Sequence, residues 1–371
     1  MKIAIVHDYI KEYGGAERVL EELIRIYPKA EIYTTVFLPE YLGPHRKRFE
    51  KYKIHTSFLN NIPFRAKLIS PMRLLSPFAF KSFDFSGYDI ILVSQTGAYF
   101  PNSLDKKTAK LITYTHTPPR YLYGYKTARD LSKNKVIYLL AHIANHFLRM
   151  VDSRSSENVD QFIANSDEVK GRIEKFYRRG AIVIYPPVEV NYQLSIKNSE
   201  FVKNYYLTGG RLARAKGIDV IVKAFNKNGL SLKIFGKGFA GYDEELRSMA
   251  KENIEFVGEV SDSEKFELMS KAKGFVFSSY DEDFGITPVE SMGVGTPVIA
   301  YKSGGVKETV IDGVSGLFYD KNTPESLNRA IEKFETLRQA QGDKIKNACQ
   351  KQAQKFSAKE FEKKIKEAVG A

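Results

Sequence analysis

Two carboxylates on either side of a bare backbone turn carry the most legible chemistry of this chain. Glu282 and Glu290 flank Phe284-Gly285-Ile286 within SSYDEDFGITPVESMGVGTPVIA, residues Ser278 to Ala300. The apolar GFVFSS before them predicts a buried strand. PVESMGVG after them predicts a short helix with Pro288 in its first turn and glycines at its close. Glu282 then falls in a strand-to-helix loop, where free backbone N–H groups meet ligands, and Glu290 falls within the helix, facing the same crevice. An ionised carboxylate only accepts hydrogen bonds, and each can take two O–H donors, which suits vicinal hydroxyls such as those of a ribose and a hexose. A surface acidic cluster ahead of an amphipathic helix is the plain alternative. The triplet Asp281-Glu282-Asp283 also has the form of a divalent-ion site, but a hard ion takes several oxygens from separated loops, so no metal is expected here.

Cations stand at a second strand-to-helix loop. In GGRLARAKGIDVIVKAF, residues 209–225, Arg211 and Lys216 flank a loop that opens a helix at Gly217-Ile218-Asp219, so two fixed charges can point at one diphosphate. Arg214 could substitute for either. Near the start, HDYIKEYGGAERVLEEL sets Gly14-Gly15 after a strand and at a helix start, where backbone N–H groups can approach a phosphate or sugar. Asp8 and Tyr13 lie close enough to this turn to touch an acceptor, although Asp8 could simply cap it. YTHTPPRYLYG, residues 114–124, follows a strand and places His116, Arg120 and Tyr121 in one loop; a satisfied histidine at a strand end is the plain reading. Ser303-Gly304-Gly305 with Glu308 and the turn Asn165-Ser166 also join strands to helices, and Gly236-Lys237-Gly238 is either a nucleotide contact or a simple turn.

These loops need a scaffold of parallel strands. Short apolar runs alternate with helix-like segments, the pattern of sheets covered on both faces. The first half offers IAIVH (3–7), EIYTTVF (31–37), DIILVS (89–94), KLITYTH (110–116), QFIANS (161–166) and AIVIY (181–185). The second offers YYLTGG (205–210), LKIFG (232–236), IEFVG (254–258), GFVFSS (274–279), PVIAY (297–301) and GLFY (316–319). Two doubly wound α/β units follow, with a seam at Pro186-Pro187, because a proline pair cannot pair inside a sheet. The expected domains are 1–188, 189–356 and a terminal helix over 357–371. The tail predicts three helices broken near Gln341-Gly342 and Ser357.

At 371 residues the chain fits two domains, and a hydrophobic content of 43% with 27% charge is ordinary for a folded protein. No window has the roughly 18 uninterrupted apolar residues of a membrane span. MKIAIVHDYI reads as a strand, without the basic start and cleavage site of a signal peptide. One cysteine, Cys349, excludes an intramolecular disulfide and fits a cytoplasmic setting. Residues 1–188 hold 29 Lys and Arg against 18 Asp and Glu, while 189–371 hold 28 against 26, so the net charge of +13 belongs mostly to the first half. Within residues 40–81, nine basic residues against two acidic ones are interleaved with Phe and Leu. Basic residues beside exposed aromatics suit an anionic membrane surface. The same features fit RNA binding or a plain solvated face.

The two glutamates with seven residues between them, followed by a small-residue turn and PVIA, resemble the signature of retaining glycosyltransferases of family 4. The resemblance covers nearly the whole chain in order: glycine loop, His loop, Asn-Ser turn, Arg and Lys loop, double Glu. It implies the GT-B fold, two Rossmann-like domains facing each other across a cleft, acceptor on the first and nucleotide sugar on the second, with 357–371 crossing back to the first. It implies that Glu282 holds a sugar hydroxyl, that the Phe284-Gly285-Ile286 backbone meets the sugar, and that Glu290 holds the ribose. Arg211 and Lys216 would hold the leaving phosphates, Gly14 and Gly15 would face the donor, His116 would lie beside the sugar's reacting carbon, and Arg120 and Tyr121 near donor or acceptor. The family more often has Gly at the position of Asp283, which restricts the local backbone here. The implied activity is hexosyl transfer with retention and without a metal or other cofactor. HTPPRYLYG and DEDFGITPVES are similar to bacterial O-antigen and capsule mannosyltransferases, implying GDP-mannose as donor, a polyprenyl-diphosphate-linked glycan as acceptor, surface polysaccharide synthesis and a peripheral place on the inner face of the cytoplasmic membrane. A nucleotide-sugar 2-epimerase of the same shape, or a non-catalytic binder of anionic polymers, are the alternatives.

Overall fold

The central apolar runs, such as IAIVH and IILVSQ, become strands with both faces buried. A computed structural model describes residues 1–125, 135–190 and 204–370. The polar stretch 191–203 that follows the expected seam lies outside the described residues. The first sheet is built from β1 (Ile3–His7), β2 (Glu31–Thr34), β3 (Ile54–Thr56), β4 (Ile90–Gln95), β5 (Lys110–Thr115), β6 (Gln161–Ala164) and β7 (Ala181–Val183). Its strands are parallel, in the order β3-β2-β1-β4-β5-β6-β7. Side chains alternate across it: Ala4, Val6, Ile91 and Val93 enter one core cluster, and Ile3, Ile5, Ile90 and Leu92 enter another.

The second sheet comprises β8 (Tyr206–Gly209), β9 (Leu232–Phe235), β10 (Ile254–Gly258), β11 (Phe275–Phe277), β12 (Val298–Tyr301) and β13 (Gly316–Tyr319). It too is parallel, in the order β10-β9-β8-β11-β12-β13. One strand was not expected from the sequence. β3 pairs parallel with β2 through Ile54–Thr56, IHT, whose side chains are half-buried or exposed, so this edge strand has no apolar run to signal it.

Two compact units result. Among the described residues, one comprises 1–125, 135–187 and 361–370, and the other 188–190 and 204–360. The three tail helices are Pro324–Gln341, Asp343–Gln354 and Ala358–Val369. Phe361, Ile365 and Val369, four residues apart on one face of the last helix, lie in the same core cluster as Ile5, Ile24 and Tyr114 of the first unit.

The order of each sheet fixes where loops can gather. Going outward from β1, the chain runs one way to β2 and β3 and the other way to β4; β8 stands in the same relation to β9 and β11. Loops leaving β1 and β4, and those leaving β8 and β11, therefore diverge at the strands' carboxyl ends and open a crevice there, the ordinary ligand position of doubly wound sheets.

Candidate active site

In the second unit one of the expected cations, Lys216, meets one of the expected acids, Glu282. The loop after β8 carries Arg211 and passes through a single 3-10 turn, Arg214–Lys216. The loop after β11 lies against it, with Tyr280 N–H donating to the Ala215 carbonyl at 3.0 Å. Gly217 makes this approach possible: its φ is +61°, and a Cβ there would stand 2.4 Å from the Ser278 carbonyl oxygen. Lys216 Nζ then donates to Glu282 Oε2 at 2.6 Å, and Ser279 Oγ donates to the same oxygen at 2.5 Å. Arg211 is exposed on the same loop. Arg214 is committed elsewhere, to both carboxylate oxygens of Glu245 at 2.9 and 2.5 Å, with its guanidinium over the Tyr242 ring.

Ser303-Gly304-Gly305 underlies this loop. Gly305 N–H donates to the Glu282 carbonyl at 2.8 Å and Ser303 Oγ accepts from Asp281 N–H at 3.1 Å. A Cβ on Gly304 would meet the Glu282 carbonyl oxygen at 2.3 Å. These glycines shape the backbone that carries Glu282. Gly236-Lys237-Gly238 borders the other side, where Leu212 N–H donates to the Lys237 carbonyl at 2.9 Å.

Gly285 caps the helix Ile286–Gly293, and Phe284 turns inward to pack on Phe356. Glu290 lies in that helix and is buried, paired with Lys265 Nζ at 2.8 Å. Lys265, also buried and 3.1 Å from Asp262, was not anticipated, because a lysine in SDSEKFEL reads as one charge on a solvated helix face. Among the described residues no three His, Cys, Asp or Glu side chains converge as metal ligands.

The first unit gathers its candidates around β1, β4 and β5. Gly14 N–H donates to Glu17 Oε2 at 2.8 Å at the start of the helix Gly15–Ile26. Asp8, expected on the acceptor side, is fully buried; one of its carboxylate oxygens takes the Thr96 hydroxyl and the Ala98 and Tyr99 N–H groups at 2.6 to 3.1 Å. Burial pushes its carboxyl above the usual range. Its carboxylate holds the loop after β4 rather than capping the Gly14-Gly15 turn. Tyr13 donates to Glu21 at 2.5 Å beside Arg48, and burial with that carboxylate raises its phenol.

His116 sits at the end of β5, almost fully buried, its carbonyl accepting from Asn165 Nδ2 at 2.9 Å. The Asn-Ser turn is thus a support for the His loop. Burial, with His7 beside it, pushes the His116 imidazole down to about 3. Its Nε2 lies 2.9 Å from Ser94 Oγ, which in turn lies 3.1 Å from His7 Nδ1. Neither Ser94 nor His7 carries a sequence signal beyond its place near a strand end. Arg120 lies near the Tyr125 ring, and Tyr121 receives the Arg73 guanidinium at 4.3 Å from its ring centre.

Known proteins share this fold. The family description Glycosyltransferase Family 4 matches residues 13–192, and Glycosyl transferases group 1 matches residues 194–356. The chain belongs to glycosyltransferase family 4 and has its two-domain GT-B fold. It is 32% identical over 203 residues to an uncharacterised glycosyltransferase of Methanocaldococcus jannaschii, covering 53% of this chain and 56% of that one. It is 27% identical over 280 residues to the alpha-1,3/1,6-mannosyltransferase ALG2 of Kluyveromyces lactis, covering 61% of this chain and 52% of that protein. The matched region thus spans about half the length of these two relatives. Among solved structures, HepE of Anabaena in complex with UDP superposes with a TM-score of 0.73 at 18% identity, covering all of both chains.

Proposed function

We propose that this protein is a retaining, metal-independent hexosyltransferase, with mannose from GDP-mannose as its first donor and a polyprenyl-diphosphate-linked glycan of surface polysaccharide synthesis as its acceptor. The observation that carries the reading is the convergence of Lys216 and Glu282 at 2.6 Å, with Arg211 on the same loop. A lysine and an arginine preorganised at a strand's carboxyl end neutralise the charge that builds on a departing diphosphate. Glu282, fixed by Lys216 and Ser279, accepts a sugar hydroxyl. Glu290 accepts from the ribose, and the backbone of Phe284-Gly285-Ile286 meets the sugar.

In the first unit we assign Gly14 and Gly15 to the donor and His116 to the sugar's reacting carbon, with Tyr13, Arg120 and Tyr121 toward the acceptor. In this scheme the acceptor hydroxyl attacks from the face that the phosphate leaves and gives its proton to a phosphate oxygen, so no side-chain base is needed. The mannose assignment is supported by the likeness to ALG2. HepE, a relative in fold, binds UDP, which makes a UDP-hexose the second donor to test.

Contact with a membrane surface is supported by the side chains of 58–81. Phe64 is 78% exposed and Phe78 65%, beside exposed Leu68, Leu74 and Leu75 and the cations Lys67 and Lys81. No helix among the described residues is long and apolar enough to cross a membrane. The test of the donor is a thermal-shift screen against GDP, UDP, dTDP and ADP. GDP at about a hundred times its dissociation constant adds about 2.7 kcal/mol of stability. Equal shifts with all four, or none, would remove the GDP-mannose assignment.

A further inference from the structure

Four buried side chains form a single file from the glycine loop to the His loop. Glu17 Oε2 accepts from Gly14 N–H at 2.8 Å, while its Oε1 stands 3.7 Å from His7 Nε2. His7 Nδ1 is 3.1 Å from Ser94 Oγ, and Ser94 Oγ is 2.9 Å from His116 Nε2. His7 and Ser94 are wholly enclosed, and His7 Nε2 is a buried atom with no hydrogen-bond partner. The partner it faces is the Glu17 carboxylate, just beyond hydrogen-bond range.

The serine hydroxyl has one hydrogen, which makes the file directional. With one proton on each imidazole there are two arrangements. In the first, Ser94 donates to His7 Nδ1 and accepts from His116 Nε2–H, so His7 carries its proton on Nε2, pointing at Glu17. In the second, every bond reverses: Ser94 donates to His116 Nε2, His7 Nδ1–H donates to Ser94, and the bare lone pair of His7 Nε2 faces the carboxylate. An N–H dipole toward a carboxylate is attractive and a lone pair toward it is repulsive, and in this dry surrounding the difference is weakly screened.

We propose that Glu17, His7 and Ser94 are positioning residues that hold His116 as its Nε2–H tautomer, leaving Nδ1 as a hydrogen-bond acceptor. A ring fixed this way receives an O–H from a ligand hydroxyl and gives no proton to it. The position of the imidazole's one proton is thus set by a carboxylate three side chains away, the same carboxylate that ties down the glycine loop. What this does for sugar transfer rests on the assignment of His116 above; the tautomer itself does not.

The experiment is nitrogen-15 NMR of the full chain labelled at histidine, of which there are six, with His116 assigned from the signals lost in His116→Gln. The Nε2–H pattern for His116 is expected, and the Nδ1–H pattern would overturn the proposal. Glu17→Gln sharpens the test. Its carbonyl oxygen keeps the Gly14 N–H bond while its amide N–H turns toward His7 Nε2, so the file reverses and His116 changes to Nδ1–H. Adding Ser94→Ala cuts the file, and His116 then no longer responds to Glu17→Gln; a response that persists without Ser94 also overturns the proposal. Transfer kinetics are read separately. A reversed tautomer with unchanged turnover would leave the relay standing and remove His116 from the proposed chemistry.

Discussion

Lys216 Nζ and Glu282 Oε2 lie 2.6 Å apart although 66 positions separate them in the chain. Both side chains are only partly buried, 34% and 17% exposed, so the pair contributes about 0–1 kcal/mol to stability. The loops that bring the two together are fixed by backbone contacts at Ala215, Gly217 and Gly304, which neither side chain makes.

Removing either group should therefore separate function from folding. Lys216→Ala and Glu282→Ala are each expected to melt close to the parent protein and to lose turnover by about 10²–10³-fold, the usual cost of one preorganised charge partner. Nucleotide release measured with purified, folded variants checks this. Parental turnover in either one removes the site assignment.

The buried pair predicts the opposite balance. Lys265 and Glu290 meet at 2.8 Å with both almost fully enclosed, so removing one partner leaves a charge in a dry place. Lys265→Met should destabilise the second unit by about 3–5 kcal/mol in urea unfolding. Lys265→Met with Glu290→Leu should recover most of that loss and still fail to bind nucleotide, because the ribose acceptor is gone. Recovery of stability together with nucleotide affinity would show that Glu290 is only structural.

How much of this was legible in the chain depends on range. Apolar runs such as IAIVH and IILVS coincide with strands because parallel sheets bury both faces of a strand, and that demand is written locally. β3 was not, since an edge strand with half-exposed side chains needs no such run. Glu282, Lys216 and Arg211 stood out because each lies in a strand-to-helix loop next to glycines. His7, Ser94 and Lys265 did not. His7 and Ser94 are 87 positions apart, and only the β1–β4 register sets them side by side. Lys265 acquires its meaning from Glu290, 25 positions on, in another helix.

The exposed aromatics of 58–78 carry a prediction about surfaces. Phe64 and Phe78 contribute little to the core of the first unit, so Phe64→Ser and Phe78→Ser should leave the melting temperature nearly unchanged. Burial of one phenylalanine in an interface is worth about 1.5–3 kcal/mol, so each change should weaken partition onto anionic vesicles about tenfold or more. Each nearby cation adds roughly 1 kcal/mol on an anionic surface. Flotation with anionic and with neutral vesicles checks both terms, and binding that ignores lipid charge discards the membrane reading.

Asp152 sets a pH dependence of stability that can be isolated. It is buried and accepts from Tyr123 at 2.7 Å and Tyr177 at 3.2 Å, yet burial outweighs these donors and pushes its carboxyl from 3.8 up to about 7. Between those values the folded chain holds a proton that the unfolded chain has released. Stability from this group is therefore full below the unfolded value and falls as pH rises toward about 7. His116 acts in the opposite sense: its imidazole, ordinarily at 6.5, is lowered to about 3, so the folded chain binds fewer protons and stability rises with pH across that window. The two slopes partly cancel in the parent protein, and Asp152→Asn separates them. The variant can neither gain nor lose the proton, so parent minus variant unfolding free energy should decline steadily from about pH 4 to about pH 8. Urea unfolding at several pH values measures that difference. A difference that stays level, or rises, would mean that Asp152 is ionised inside the fold, with its two tyrosines outweighing its burial.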